Sequence, residues 1–163
     1  MARDATLRLY DVDKDSVVLT REEGRESYAI GKITFSAKKG KLVDLDKLHE
    51  SIWATRLSGR TQMRLNWLEV TAVGEAAAAE GNVVLKVAGS KEYFLLAEDP
   101  EAKPEGAAKP PLARLKDALD RGEKVVQVTG RVDGWSGHFP KFLAELPPKP
   151  RRLLVKDFQT AKQ

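Results

Sequence analysis

Cysteine is absent from this chain of 163 residues, and histidine occurs only at His49 and His138. The lack of cysteine excludes disulfides, thiolate nucleophiles and thiolate metal ligands, and it removes thiol usage as a guide to the redox compartment. Neither histidine stands in a nucleophile-elbow or similar setting, so the chain offers no constellation for nucleophilic catalysis. We therefore expect a non-enzymatic protein with no cofactor and no metal site.

Long apolar runs are also missing. No stretch approaches the roughly 18 residues that a membrane-spanning helix needs, and the first residues contain no hydrophobic signal core. The sequence predicts a soluble protein without a membrane span. Either a cytoplasmic location or export as a mature chain with its leader removed fits this composition.

Charge of one sign is not concentrated anywhere along the chain. Lys and Arg number 28 against 24 Asp and Glu, for a net charge of +4, and hydrophobic residues make up 42% of the sequence. That composition predicts a globular protein with one good core or two small ones. The slight net positive charge weakly favours binding to polyanions, but the chain lacks the basic clusters typical of nucleic-acid-binding proteins.

The N-terminal half reads as strands followed by one helix. Alternation predicts a hairpin of strands over residues 6–12 and 16–20, and a further strand over residues 27–37. The period then changes, and we predict a helix that Asp44 caps and that Gly59 follows. Its apolar face contains Leu45, Leu48, Ile52 and Leu57. Residues 64–73 alternate with apolar side chains on both faces, which predicts a strand that is central or shared between two sheets.

The C-terminal half contains strands, one helix and two more strands. Turns at residues 81–82 and 89–90 delimit predicted strands over residues 83–88 and 91–97. After a proline- and alanine-rich loop, Pro110 and Pro111 precede a helix that Gly122 ends, with an apolar face formed by Leu112, Leu115, Ala118 and Leu119. Strands over residues 125–132 and 152–160 follow, separated by a long loop.

Three meandering strands, a helix and two further strands resemble the oligonucleotide/oligosaccharide-binding (OB) fold. The phrases VTGRV and LLVKDF are similar to the fourth and fifth strands of many such domains. The expected fold class is α+β, mostly β. We expect a small α+β domain over residues 1–66 and an OB-like five-stranded β-barrel over residues 67–163, with one helix between its third and fourth strands.

This resemblance implies where a ligand would bind. OB domains bind oligonucleotides, oligosaccharides or proteins on their second and third strands and between flanking loops. Carried over to this chain, the ligand-binding residues are Lys86, Lys91, Tyr93, Arg131, Trp135, His138, Phe139 and Lys141. Aromatic and basic groups in the loop at residues 135–142 suit stacking on a base or sugar. The alternative is that these aromatic residues fold back and plug the mouth of the barrel.

A second resemblance concerns residues 31–73. Read as strand, short strand at residues 40–44, helix and strand, they look like the second half of a heavy-metal-associated, ferredoxin-like domain. Such domains bind soft metals through a two-cysteine loop. Because this chain has no cysteine, no metal function carries over.

Three functions fit these features. The one we favour is a non-catalytic protein-interaction or accessory module, in which the barrel packs on a protein partner or on a second copy. A single-strand nucleic-acid-binding protein is the alternative, supported by the fold, the net positive charge and the loop aromatics. A small-molecule or metal-handling protein is the third. The absence of basic clusters places protein interaction ahead of nucleic acid.

Overall fold

The computed structural model describes residues 2–23, 29–56, 63, 65–101, 109–133 and 146–160. This part of the chain is α+β and mostly strand, with few helices and one five-stranded sheet, as the sequence predicts. Its elements are α1 (Ala2–Leu7), β1 (Val18–Glu23), β2 (Ala29–Thr34), α2 (Leu45–Trp53), β3 (Glu69–Ala79), β4 (Asn82–Val87), β5 (Tyr93–Glu98), α3 (Pro111–Asp120), β6 (Val125–Val132) and β7 (Arg151–Thr160). The chain divides into two compact units, formed mainly by residues up to Leu65 and from Asn66 onward.

The first unit contains α1, α2 and an antiparallel pair of strands, β1 and β2. The carboxylate of Asp44 caps α2, because it accepts hydrogen bonds from the backbone N–H groups of Asp46 at 3.0 Å and Lys47 at 3.2 Å. The hydroxyl of Ser51 donates to the carbonyl oxygen of Ala5 at 2.8 Å and so connects α2 to α1. The predicted cap of this helix is confirmed.

The predicted end of this helix is wrong. α2 stops at Trp53 because its last turn tightens: the N–H of Thr55 donates to the carbonyl oxygen of Ile52, and the Thr55 hydroxyl donates to that of Ser51 at 2.8 Å. Residues 57 and 59, which we expected on the helix and just after it, lie outside the described residues. Residues 41–44, part of the predicted short strand, have no regular structure.

The predicted strand over residues 6–12 is also wrong. Residues 2–7 form α1, and the Arg8 N–H continues the turn by donating to the carbonyl oxygen of Asp4 at 3.2 Å. A short alternation of apolar residues fits the period of a strand as well as that of a helix. Burial of Ala5 and Thr6 favours the helix. β1 pairs with β2 and not with residues 6–12. Val18 lies opposite Thr34 in this pair.

The five strands of the second unit pair in a ring. The order is β3, β4, β5, β7 and β6, and β6 returns to pair with β3. The pairing of β5 with β7 is parallel, and the other pairings are antiparallel. The predicted strands over residues 83–88, 91–97, 125–132 and 152–160 are confirmed as β4 to β7, with bounds that shift by at most two residues.

β3 differs from its prediction at both ends. Residues 65–68 have no regular structure, and the strand begins at Glu69 and continues through an alanine run to Ala79. Alanine disfavours strands, but pairing of Ala76 with Leu85 and of Ala79 with Asn82 overrides that preference. β3 pairs with β4 on one side and with β6 on the other, so the first of the two predicted alternatives, a central strand, is confirmed. The described pairings of β3 all lie in one sheet, and the second alternative, a strand shared between two sheets, is wrong.

The interior of the second unit is aliphatic. Alternate residues of the strands point inward, including Leu85, Leu96, Val128 and Leu153, each at most 5% exposed. α3 adds Leu112, Leu115 and Ala118 and contacts β3, β5 and β7. The predicted proline start of this helix and three of the four residues of its predicted apolar face are confirmed, while Leu119 is half-buried. Gly122 follows the helix with a φ of 88°.

Two glycines lie where strands approach too closely for a side chain. A Cβ atom at Gly74 would overlap the backbone of Lys86, with the carbonyl carbon only 2.9 Å away. Gly74 pairs with Val87 on one side and with Val126 on the other, so β3 contacts both β4 and β6 at this position. A Cβ at Gly130 would lie 2.8 Å from Cγ of Leu153. The ring of strands therefore requires glycine at both positions.

Candidate functional site

Four of the eight predicted ligand-binding residues lie in the described part of the chain. Lys86 is on β4, Tyr93 begins β5, Lys91 lies between these strands, and Arg131 is on β6. The other four predicted residues, Trp135, His138, Phe139 and Lys141, lie outside the described residues.

The structure brings Lys86, Tyr93 and Lys91 together. Lys86 and Tyr93 are direct partners in the β4–β5 pairing. Both side chains lie on the outer surface, because their neighbours Leu85, Val87 and Phe94 are buried inside. The connection is longer than the predicted two-residue turn, since the Ser90 hydroxyl accepts from the N–H of Glu92 and extends it.

A row of aliphatic side chains runs beside this polar pair. Ala77 of β3 pairs with Val84 of β4, and Val84 pairs with Leu95 of β5. In the next row, Lys86 stands between Glu75 of β3 and Tyr93 of β5. We call these two rows the three-strand face: Glu75, Ala77, Val84, Lys86, Tyr93 and Leu95.

Much of the three-strand face is accessible to solvent. Tyr93 is 45% exposed, and Val84 and Leu95 are half-buried. An apolar strip on the outside of a sheet, bordered by charged residues, is typical of an interaction surface.

A pocket of about 260 Å³ adjoins the three-strand face. It lies where the parallel strands β5 and β7 begin side by side, with Phe94 opposite Arg151. Its lining is Lys91, Glu92, Tyr93, Phe94, Lys149, Pro150 and Arg151, so three positive charges stand against one negative charge. We call it the basic pocket.

Two of the basic residues in this pocket have defined partners. The ammonium of Lys149 forms an ion pair with the carboxylate of Glu92. Arg151 is only 6% exposed, and its Nε donates to the carbonyl oxygen of Pro147 at 3.0 Å. These contacts fix the two cations in place, and Arg151 provides a positive charge that is shielded from solvent.

Arg131 is not part of this group. It lies on β6, which pairs with β3 and β7 and with neither β4 nor β5. Its guanidinium is 3.5 Å from Oδ1 of Asp99 and 3.0 Å from Oε2 of Glu101. Two carboxylates therefore offset the charge of Arg131, and its Nε is buried without a hydrogen-bond partner in the described part of the chain.

Ion pairs also occupy other basic residues of the second unit. They join Lys156 to Glu69 (3.0 Å), Arg152 to Asp133 (3.2 Å), Lys109 to Asp117 (2.7 Å) and Arg121 to Glu123 (2.9 Å). The pKa of Glu123 is lowered, first by the hydrogen bond from Arg121 and then by one from Thr160. Lys86 and Lys91, by contrast, form no ion pair with any residue that the structure describes.

The sequence analysis missed the aliphatic row and five of the seven residues that line the basic pocket. The alternation in β4 and β5 contains the signal that Val84 and Leu95 share the outer surface with Lys86 and Tyr93. No local pattern indicates that Lys149 and Arg151 meet Lys91, because that meeting depends on the parallel pairing of β5 with β7.

The described residues contain no cluster of three or more metal-ligating side chains. Within the same residues, no helix has the length and apolar character to cross a bilayer. Comparison of the chain with models of protein families, with curated proteins and with solved structures finds no match. The interpretation of the three-strand face rests on its geometry.

Proposed function

We propose that the second unit is an OB-type barrel that acts as a non-catalytic module and binds an extended segment of a partner protein on the three-strand face. The cyclic strand order, the parallel pairing of β5 with β7 and the position of α3 between β5 and β6 support the OB assignment. OB domains use their second and third strands for ligands. In this chain those strands are β4 and β5.

One observation carries the choice of a protein partner: one of the two rows of the three-strand face, formed by Ala77, Val84 and Leu95, is wholly aliphatic. Single-stranded nucleic acid is bound by several aromatic platforms along a positively charged groove. The described part of the face presents one aromatic residue, Tyr93, and one lysine, Lys86, which stands opposite Glu75. Ala77, Val84 and Leu95 suit the apolar side chains of a polypeptide instead.

A single-strand nucleic-acid-binding function is the second candidate. At one end of the face, Tyr93 pairs with Lys86 and shares with Lys91 the lining of a pocket that has an excess of positive charge. This arrangement could hold one base on Tyr93 and a phosphate near the lysines. Such binding would weaken steeply as salt is added, because neutralised phosphates release counterions.

The resemblance of residues 31–73 to half of a ferredoxin-like domain adds nothing to this proposal. Residues 41–44 have no regular structure, and the following strand β3 pairs within the second unit. We propose no separate function for the first unit.

Selection of ligands on the immobilised full chain tests the proposed function. We expect a random peptide library to yield binders and a random single-stranded DNA library, selected in parallel, to yield none. Leu95→Glu should weaken the selected peptides roughly tenfold or more, because it places a carboxylate among groups that lose water on binding. Tyr93→Ser, at a more exposed position, should also lower the affinity for the selected peptides. Binding is measured by fluorescence anisotropy.

The matched control is Gln127→Glu. It adds the same charge to the outer surface of β6, a strand that pairs with neither β4 nor β5. All three variants should first show a cooperative thermal transition like that of the wild-type chain. Peptides that bind Leu95→Glu and Tyr93→Ser as tightly as wild type would rule out the three-strand face. Salt-sensitive DNA binders without peptide binders would favour the second candidate.

A further inference from the structure

The basic pocket and the three-strand face share Tyr93, so one ligand can contact both. We propose that the basic pocket binds a carboxylate side chain of the partner segment, and that the partner is therefore acidic at this position. This inference rests on the proposed function and specifies the chemistry of the partner.

The charges that line the basic pocket complement a carboxylate. The lining of the pocket contains three cations, those of Lys91, Lys149 and Arg151, and one carboxylate, that of Glu92, which already pairs with Lys149. Lys91 is exposed and forms no ion pair with a described residue. An entering carboxylate would meet the exposed Lys91 ammonium, and the Arg151 guanidinium adds positive charge to the same lining.

The walls of the pocket are partly apolar. Tyr93, Phe94 and Pro150 contribute apolar surface beside the three cations. Low-dielectric walls strengthen the attraction between opposite charges relative to that in open solvent. A carboxylate bound there is held more strongly than it would be by lysines on a flat, solvated surface.

The size of the pocket favours a single side chain. At about 260 Å³, it falls below the roughly 300–1,000 Å³ of most small-molecule sites. The carboxylate of Glu92 within the lining also repels a phosphate more strongly than a carboxylate, because a phosphate carries more negative charge. One glutamate or aspartate side chain of a polypeptide fits both the volume and the charge.

The strand geometry predicts the spacing of the partner's residues. Tyr93, at the pocket, and Leu95, in the aliphatic row, are two residues apart on β5 and point to the same side. Side chains of an extended peptide that point to one side are likewise two residues apart. The expected ligand therefore has an acidic residue separated by one residue from an apolar one.

A pair of labelled peptides tests this inference on the full chain by fluorescence anisotropy at low salt. In one peptide a glutamate stands two residues from a leucine in a serine and threonine background, and in the other a glutamine replaces that glutamate. We expect Lys91→Gln to weaken the glutamate peptide about three- to tenfold and to leave the glutamine peptide unchanged. Glu92→Gln should raise the affinity for the glutamate peptide, because the substitution removes a carboxylate that repels the peptide's glutamate.

Lys116→Gln is the matched control. Lys116 is exposed on α3, and α3 leads into the start of β6. The start of β6 pairs with Thr160, which lies at the opposite end of β7 from Arg151 and the basic pocket. This substitution removes the same charge and should leave both affinities unchanged.

Each other outcome overturns the carboxylate site and separates it from the proposed function. Equal binding of both peptides, unaffected by Lys91→Gln, overturns the site while the proposed protein partner stands. Binding of labelled oligodeoxythymidine without binding of either peptide overturns both and favours the nucleic-acid candidate. If none of the three probes binds, the site is overturned, and the library selection alone decides the proposed function.

Discussion

Replacing Gly74 with alanine is expected to destabilise the second unit by about 3 kcal/mol or more. The new methyl group would overlap the carbonyl group of Lys86, which belongs to a paired strand and cannot rotate away. Relief would require β3 and β4 to separate at the point where β3 also pairs with β6. Urea denaturation followed by tryptophan fluorescence measures the loss as a lower transition midpoint.

Gly81→Ala is the matched control for this substitution. Gly81 also borders the pairing of β3 with β4, but its Cβ would meet nothing within 4 Å. Its φ of 80° makes alanine strained, at a cost of about 1 kcal/mol. If Gly74→Ala were no more destabilising than Gly81→Ala, the close approach of β3 and β4 would be incorrect.

The second large effect is expected at Leu115. This side chain is 0% exposed on α3, a helix that contacts three strands of the ring. Truncation to alanine removes apolar contacts and leaves a cavity, which should lower the free energy of unfolding by about 3 kcal/mol. The same urea titration measures the change, with an unaltered slope if the unfolding remains two-state.

Lys116→Ala tests the neighbouring position on the same helix. Lys116 is exposed, so its truncation should change the free energy of unfolding by less than about 0.5 kcal/mol. Equal effects of the two substitutions would mean that α3 does not pack its predicted apolar face against the strands.

Local patterns account for most of the second unit. Alternation in residues 83–88 and 125–132 predicts β4 and β6, because one face of each strand is buried and the other is not. The prolines before α3 and Gly122 after it are local signals as well. These elements agree with their predictions since no distant contact opposes the local preference.

Where distant contacts decide, the sequence misleads. The alanine run at the end of β3 has a weak strand preference and becomes a strand because β4 pairs with it. The pattern in residues 2–7 is short enough to fit a strand or a helix. The contact of Ala5 with Ser51 of α2 favours the helix.

The candidate site divides in the same way. The hairpin connects Lys86, Lys91 and Tyr93 within a few residues, so their proximity follows from the sequence. The separation of Arg131 from them, and the approach of Lys149 and Arg151, depend on the order of strands around the ring. Pairing between strands distant in sequence leaves no local pattern to read.

The most direct measurement of peptide binding to the three-strand face is an NMR titration of the isotope-labelled full chain with the glutamate peptide. We expect the largest changes in backbone amide shifts at Val84, Lys86, Tyr93 and Leu95, with small changes at Gln127 on β6. Saturation should occur at one peptide per chain. Changes concentrated on β6, or an absence of saturable changes on β4 and β5, would contradict the assignment of this face as the binding surface.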